Sequence, residues 1–189
     1  MSNKVNQPTE VLHFLREFAM NPRGFLLLSG ENGTGKSFAA RSVYNCISPY
    51  KLPEYDHDKA IFISQADLNL IFNDLEGKGV SLLAEKYSST KLLVLDDLGT
   101  RKPSDAFMDF LYAIADKRYS ERETRGTIIT TNLTHKDLIH KFGSAFASRV
   151  ATGKCFRFEG EDRRDNGVLF AFLPLLIDYL EMFGSIDVF

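Results

Sequence analysis

The sequence predicts an α/β fold in which five parallel strands are covered by helices on both faces. Three observations predict it. Short apolar runs recur without in–out alternation, as in Leu92-Leu93-Val94-Leu95, the way strands buried on both faces read. Segments with apolar residues at helical spacing separate those runs, and strand–helix alternation is the mark of a parallel sheet with crossover helices. A glycine-rich turn at Gly30–Ser37 joins the first strand to the helix that follows.

Taken in order, Thr9–Ala19 form an amphipathic helix with Val11, Leu12, Leu15 and Phe18 on one face, ended by Asn21-Pro22. Gly24–Ser29 is the first strand, and Lys36–Cys46 the helix after the glycine turn. Ser48–Lys59, polar and with two prolines, reads as a loop. Ala60–Ser64 is a strand. Asp67–Leu75 is a helix with Leu68, Ile71, Phe72 and Leu75 on one side, broken by Glu76-Gly77-Lys78-Gly79 before a short helix at Val80–Tyr87. Lys91–Asp96 is the third strand. Ser104–Glu121 is a long helix with Phe107, Phe110, Leu111 and Ile114 inward. Gly126–Thr131 and Lys154–Phe158 are the last strands, separated by short helices at Asp137–Phe142 and Ala145–Val150. Val168–Phe183 closes the chain as a helix that is apolar almost all round.

At 189 residues the chain suits one domain. Its formal net charge of −2 means that any nucleic-acid contact must come from a local patch. Cys46 and Cys155 lack the paired spacing of a zinc site and read as reduced thiols. The N-terminus carries no apolar signal segment, so a cytoplasmic location is expected. The longest apolar run, Val168–Ile177, is shorter than the ~18–20 residues that span a bilayer, so no membrane partner is expected.

The turn Gly30-Glu31-Asn32-Gly33-Thr34-Gly35-Lys36-Ser37 matches the Walker A pattern in full, in the strand–turn–helix context that pattern needs. The fold is therefore expected to be a P-loop NTPase. Glycines let backbone N–H groups approach phosphate oxygens, and the helix N-terminus points its positive dipole end at the same anion. Gly30 through Phe38 are the nucleotide-binding candidates, with ATP and Mg2+ as the expected ligands. Lys36 is assigned to the β- and γ-phosphates and Ser37 to magnesium. Asp96-Asp97, at the end of the third strand, reads as Walker B: Asp96 would hold magnesium and Asp97 would serve as base for an attacking water. Two adjacent acids favour hydrolysis over phosphoryl transfer to a metabolite. Asn132 closes the fourth strand, where an asparagine either bonds the water and the γ-phosphate or serves turn chemistry. Arg149 sits on the helix after that strand, at an expected subunit edge.

In this order these residues resemble the DnaC/IstB-like branch of the AAA+ ATPases, which includes bacterial helicase loaders and transposition helper ATPases. The resemblance runs from about Val11 to Arg164. It rests on the Walker A, Asp96-Asp97-Leu98-Gly99, Arg118-Tyr119, Thr127-Ile128-Ile129-Thr130-Thr131-Asn132-Leu133, Ser148-Arg149-Val150 and Gly160-Glu161-Asp162-Arg163-Arg164. It implies that Asn132 is sensor 1, that Arg149 is an arginine finger acting in trans within a homo-oligomer, and that Arg164, or Arg163 in its stead, is sensor 2. It also implies ATP hydrolysis in DNA replication or transposition, with a replicative helicase or transposase as protein partner and single-stranded DNA as a further one.

Two departures stand out. The residues before the first strand are too few for the helicase-gripping N-terminal domain of such loaders. The helical lid usual for AAA+ proteins is replaced by 165–189, so residues 1–164 are expected to form the ATPase core and 165–189 an apolar helix packed on the core or on a partner. Lys78, between two glycines, and Lys136, His140 and Lys141 are the DNA-contact candidates, each against the alternative of a solvated face. A small-molecule P-loop kinase and a nucleotide-dependent protein adaptor are the other functional readings.

Overall fold

The strands are apolar on both faces because helices cover both. The structure, a computed structural model, describes residues 8–47, 59–75 and 77–160. Its elements are α1 (Pro8–Met20), β1 (Gly24–Gly30), α2 (Lys36–Ile47), β2 (Ala60–Ser64), α3 (Gln65–Asp74), α4 (Lys78–Ser89), β3 (Leu92–Asp96), α5 (Asp105–Ser120), β4 (Gly126–Thr131), α6 (His135–Val150) and β5 (Lys154–Phe158). The strands form one sheet in the order β2-β3-β4-β1-β5, with every neighbouring pair parallel.

Alternate side chains of one strand feed two cores. Leu26 and Leu28 of β1 pack with Val11, Leu15 and Phe18 of α1 and with Ala39, Ala40 and Val43 of α2. Phe25 and Leu27 of the same strand face the other way, into a cluster built by α3, α4, α5 and α6 around Leu93, Leu95 and Ile129. Each fully buried Leu or Phe contributes about 1.5–3 kcal/mol over an exposed one, so both cores fix the sheet. Phe14 of α1 adds an edge contact to Phe156 of β5, 5.3 Å between ring centroids.

The helices begin where side chains satisfy orphan N–H groups. Ser64 caps α3 by accepting from the Asp67 N–H, and Ser104 caps α5 by accepting from the Phe107 N–H. Thr134 and Asp137 form a reciprocal capping box at α6. Thr134 also donates to the Asp137 carboxylate, which holds that carboxyl below its ordinary pKa. The two short helices expected after β4 are two segments joined at Gly143, whose φ of 81° and ψ of 156° break the helical path. Lys78, expected in a glycine loop, is instead the first residue of α4.

Arg118 is fully buried near the end of α5. Its guanidinium donates to Thr127 Oγ1 at 2.7 Å and to the carbonyls of Tyr87 (3.0 Å), Ser88 (3.2 Å), Thr90 (2.9 Å) and Gly126. One side chain thereby ties the α4–β3 turn, α5 and β4 together. Burial, with the positive charge of Arg125 beside it, pushes the guanidinium down to about 9, so it keeps its charge at neutral pH.

The expectations for 161–189, including Arg163, Arg164 and the apolar C-terminal helix in place of a lid, lie outside the described residues. So does most of the loop expected at Ser48–Lys59. Among the described residues no helix is long and apolar enough to cross a membrane.

Candidate functional site

The carboxyl ends of β1, β4 and β3 stand side by side, and the loops leaving them build the site. Sheets of this kind bind ligands outside those strand ends. β1 passes into the turn at Gly30, with φ 141°. A Cβ at Gly30 would lie 2.1 Å from the Phe158 carbonyl oxygen of β5, so the neighbouring strand as well as the turn demands glycine. Gly33 and Gly35 follow with φ of 76° and 97°, a region that glycine enters without a Cβ clash.

Within the turn, Thr34 Oγ1 and Lys36 Nζ both donate to the Glu31 carbonyl, at 2.8 and 2.6 Å. Thr34 and Lys36 are buried, so the ammonium lies inside the curve of the loop. α2 starts at Lys36 with no acidic residue in its first turn, which leaves the positive end of its dipole unopposed. Ser37 is half-buried at that end. Phe38 is 39% exposed.

Asp96 closes β3 and is buried. Its Oδ1 accepts a 2.6 Å hydrogen bond from Thr130 Oγ1 of β4, and the same Thr130 oxygen accepts the Asp97 N–H at 2.9 Å. Asp97 itself is exposed and left-handed at φ 53°, where it is the one non-glycine residue with positive φ among those described. Asp tolerates that region better than most residues, and such outliers persist where the surroundings over-determine them. Here the surroundings are identifiable. The Leu98 N–H donates to the Thr130 carbonyl at 2.9 Å, and Thr131 Oγ1 donates to the Leu98 carbonyl at 2.5 Å. The Gly99 N–H donates to Gln65 Oε1 at 2.7 Å, and Lys141 Nζ donates to the Gly99 carbonyl. Three elements thus pin the turn after Asp96.

Thr130 and Thr131 stand in the sequence only as part of the segment that carries the family resemblance, with no role of their own, and the sheet order that places β4 between β1 and β3 gives them one. Gln65 is a site residue that the sequence does not single out, lying before the expected helix until its side-chain carbonyl is seen on Gly99. Lys141 is a DNA-contact candidate by sequence; in the structure it is half-buried and its ammonium donates to the Gly99 carbonyl. With His140 it borders a groove of about 780 Å³ whose walls also carry Asp105, Asp109 and Asp137, a mixed rather than basic surface.

Asn132 is exposed, the first residue beyond β4, and so stands at the same end of the sheet as Asp97. Arg149 is elsewhere. α6 leaves the site end at Thr134, breaks at Gly143 and ends at Val150, four residues before β5 enters the sheet at Lys154. Arg149 meets Asp116 in the last part of α5 and so sits toward the opposite end of the sheet from the glycine turn of its own chain. Its Nε donates to Asp116 Oδ1 at 2.9 Å, its Nη1 to the Ala145 carbonyl at 2.8 Å, and its guanidinium lies 4.7 Å from the Tyr112 ring centroid. The Asp116 carboxylate raises its pKa further. Its side chain lies along α5 instead of extending from the edge.

Residues 17–150 match the model of the IstB-like ATP-binding protein family. The chain belongs to that family. A curated relative, the replicative helicase loader DnaC of Buchnera aphidicola subsp. Acyrthosiphon pisum (strain APS), is 28% identical over 148 residues, covering 74% of this chain. The chain spans 55% of that relative's length. Among solved structures, a DnaC helicase loader superposes with a TM-score of 0.66 at 25% identity, covering 84% of this chain and 94% of the other. AMPPCP-bound DnaA from Aquifex aeolicus superposes with a TM-score of 0.68 at 16% identity, over 100% of this chain and 55% of that one, a likeness of fold alone. The IstB-like chain thus has the P-loop NTPase fold of AAA+ proteins, an ATP-binding family with helicase-loader relatives.

Proposed function

We propose that this protein hydrolyses ATP with magnesium and uses the nucleotide cycle to remodel a protein–DNA complex, in DNA replication as a helicase loader or in transposition. The observation that carries the reading is the pinned Asp96–Asp97 turn. A buried carboxylate and an exposed one stand at adjacent positions at the end of β3, one strand removed from β1, which enters the Walker A loop.

The residues fit both ligands. Backbone N–H groups of Gly30 to Phe38 and the α2 N-terminus would cradle the phosphates, with Lys36 moving from the Glu31 carbonyl to the β- and γ-phosphates. The Ser37 hydroxyl and Asp96 carboxylate are the oxygen donors a hard cation takes, and magnesium there would neutralise charge on the phosphates. Asp97 accepts the proton of a water that attacks the terminal phosphorus as its bond to the β-phosphate oxygen breaks. Asn132 orients that water. The resemblance assigns Arg164, with Arg163 as the other choice, to sense the nucleotide from beyond the described residues. The helicase-loader relative supports the replication setting, with single-stranded DNA and a replicative helicase as partners of an assembled, ATP-bound state.

The test is nucleotide binding by calorimetry and phosphate release by the full chain. Wild type is expected to bind and turn over ATP, and Lys36→Ala to lose binding. Unchanged affinity in Lys36→Ala would remove the Walker A assignment. Binding without any turnover, alone or with single-stranded DNA, would convert the reading to a nucleotide-dependent adaptor.

A further inference from the structure

The four strands β1 to β4 are each entered through a basic residue. Arg23 precedes Gly24, Lys59 precedes Ala60, Lys91 precedes Leu92 and Arg125 precedes Gly126. The register pairs Ala60 with Leu92, Leu92 with Gly126, and Gly126 with Gly24. The four cations therefore stand abreast on adjacent strands, in the order Lys59, Lys91, Arg125, Arg23. At about 4.8 Å per strand their backbone positions form a row about 14 Å long. It lies at the amino ends of the strands, the pole opposite the Walker A loop.

Arg23, Lys59 and Lys91 are exposed and Arg125 is half-buried. The row is held in place rather than loose. Arg23 Nε donates to Asn21 Oδ1 at 3.0 Å, Lys91 Nζ to the Thr124 carbonyl at 2.6 Å, and Arg125 to the Ser88 carbonyl at 2.6 Å and to Glu121. Partial burial and the charge of Arg23 hold the Lys91 ammonium below its ordinary pKa, so the cations feel one another. Among the described residues, Glu121 pairs with Arg125 of the row. Helix C-termini favour cations in their last turn, which accounts for Lys117 and Arg118 of α5. Arg23 and Lys91 lie beyond helix ends, on the strand starts.

We propose that this row docks the phosphodiester backbone of a nucleic-acid duplex, without sequence preference and independently of the nucleotide held at the opposite pole. A duplex strand carries one phosphate per about 3.4 Å of axis, so the row spans the backbone of roughly four base pairs. Among the described residues the exposed aromatic rings, Phe38 and Tyr112, stand away from these strand starts, and proteins that grip single strands use such rings as stacking platforms. A backbone contact to a duplex is what remains. This surface does not rest on the ATP cycle proposed above, and it replaces neither Asn132 nor Arg149.

The test is fluorescence anisotropy of the full chain with a labelled, mixed-sequence duplex over a range of salt concentrations, with ATP, with ADP and without nucleotide. Wild type is expected to bind in all three states with an affinity that falls linearly on a log–log salt plot. Arg23→Gln/Lys91→Gln should make that slope shallower by about 2, since each phosphate left without its cation lowers it by about 1, with melting temperature and ATP turnover unchanged. The charge-conserving pair Arg23→Lys/Lys91→Arg should bind as wild type does, and Lys141→Gln should leave duplex binding alone. No duplex binding by wild type up to about 100 µM at low salt would overturn the proposal, as would an unchanged slope in the Gln pair or loss of binding in the charge-conserving pair. Binding that needs ATP would return DNA contact to the assembled state. Stronger displacement by polyglutamate than by unlabelled duplex would assign the surface to an acidic protein instead.

Discussion

Asp97 and Arg118 show how differently two polar residues can be used. Asp97 is held in the left-handed region by the hydroxyl and carbonyl of Thr130, which leaves its carboxylate at the surface of the site. If it is the base, Asp97→Asn keeps the backbone turn and the ATP affinity but loses turnover, because an amide is a far poorer proton acceptor; general-base loss commonly costs about 10²–10⁴ in rate. Calorimetry and phosphate release measured together check this, and wild-type turnover in the Asn variant would remove the assignment. Arg118 has no part in that chemistry. Its substitution by Leu leaves buried carbonyls at Tyr87, Thr90 and Gly126 without their donor. Each unsatisfied buried group costs about 1–3 kcal/mol, so chemical denaturation should show a loss of at least about 3 kcal/mol. An Arg118→Leu variant as stable as wild type would show that water replaces the guanidinium at no cost.

At the scale of elements, the strands are legible because their apolar runs are unbroken and their ends are marked by Gly, Asp or Asn. β2, β4 and β5 run over the residues expected of them. Helix starts are less legible. α3 begins at Gln65, two residues before the expected Asp67, because Ser64 reaches forward to cap it. α4 begins at Lys78 even though glycines flank that residue. In the site, the Walker residues are legible because phosphate chemistry demands particular residue types at fixed spacing. The supporting roles of Thr130 and Thr131, though both belong to the segment that carries the resemblance, and of Gln65 are not, since a threonine in a strand or a glutamine before a helix serves many ends until the sheet order is known. Gly30 illustrates what only packing reveals. Gly30→Ala forces a Cβ against the Phe158 carbonyl, whereas Gly24, with φ 71°, has nothing within 4 Å of its Cβ position. Gly24→Ala carries only the backbone penalty, about 1 kcal/mol, and Gly30→Ala should cost clearly more, with overpacking adding about 1–3 kcal/mol. Thermal melts of the two variants should separate by several degrees; equal melting temperatures would mean that β5 moves aside freely.

The molecule as a whole has two poles, and Arg149 lies at the wrong one for its own nucleotide. The cis Walker loop is at the carboxyl end of the strands, while Arg149 closes α6 at the other. If the guanidinium acts on a γ-phosphate, that phosphate therefore belongs to a neighbouring subunit. Its present partners, Asp116 and the Tyr112 ring, are the competing explanation: a surface pair that holds α6 against α5. Exposed ion pairs of this kind are weak and screened by salt, so a neighbour's phosphate can draw the side chain away. The two roles are separable in a mixing experiment. Arg149→Ala subunits keep a complete Walker loop, and Lys36→Ala subunits keep Arg149, so each alone should be nearly inactive. An arginine finger is worth about 10³–10⁵ in rate in related NTPases. Mixed at concentrations that support assembly, the two variants should regain turnover at interfaces where a Walker loop from one meets Arg149 from the other. Activity should rise more steeply than linearly with protein concentration and fall on dilution. Asp116→Asn, which loosens the resting pair, should raise assembled turnover modestly if Arg149 must leave it, and should lower only thermal stability if the pair is structural. A mixture no more active than its separate parts, together with wild-type turnover strictly proportional to concentration, would fix Arg149 as a support for α6.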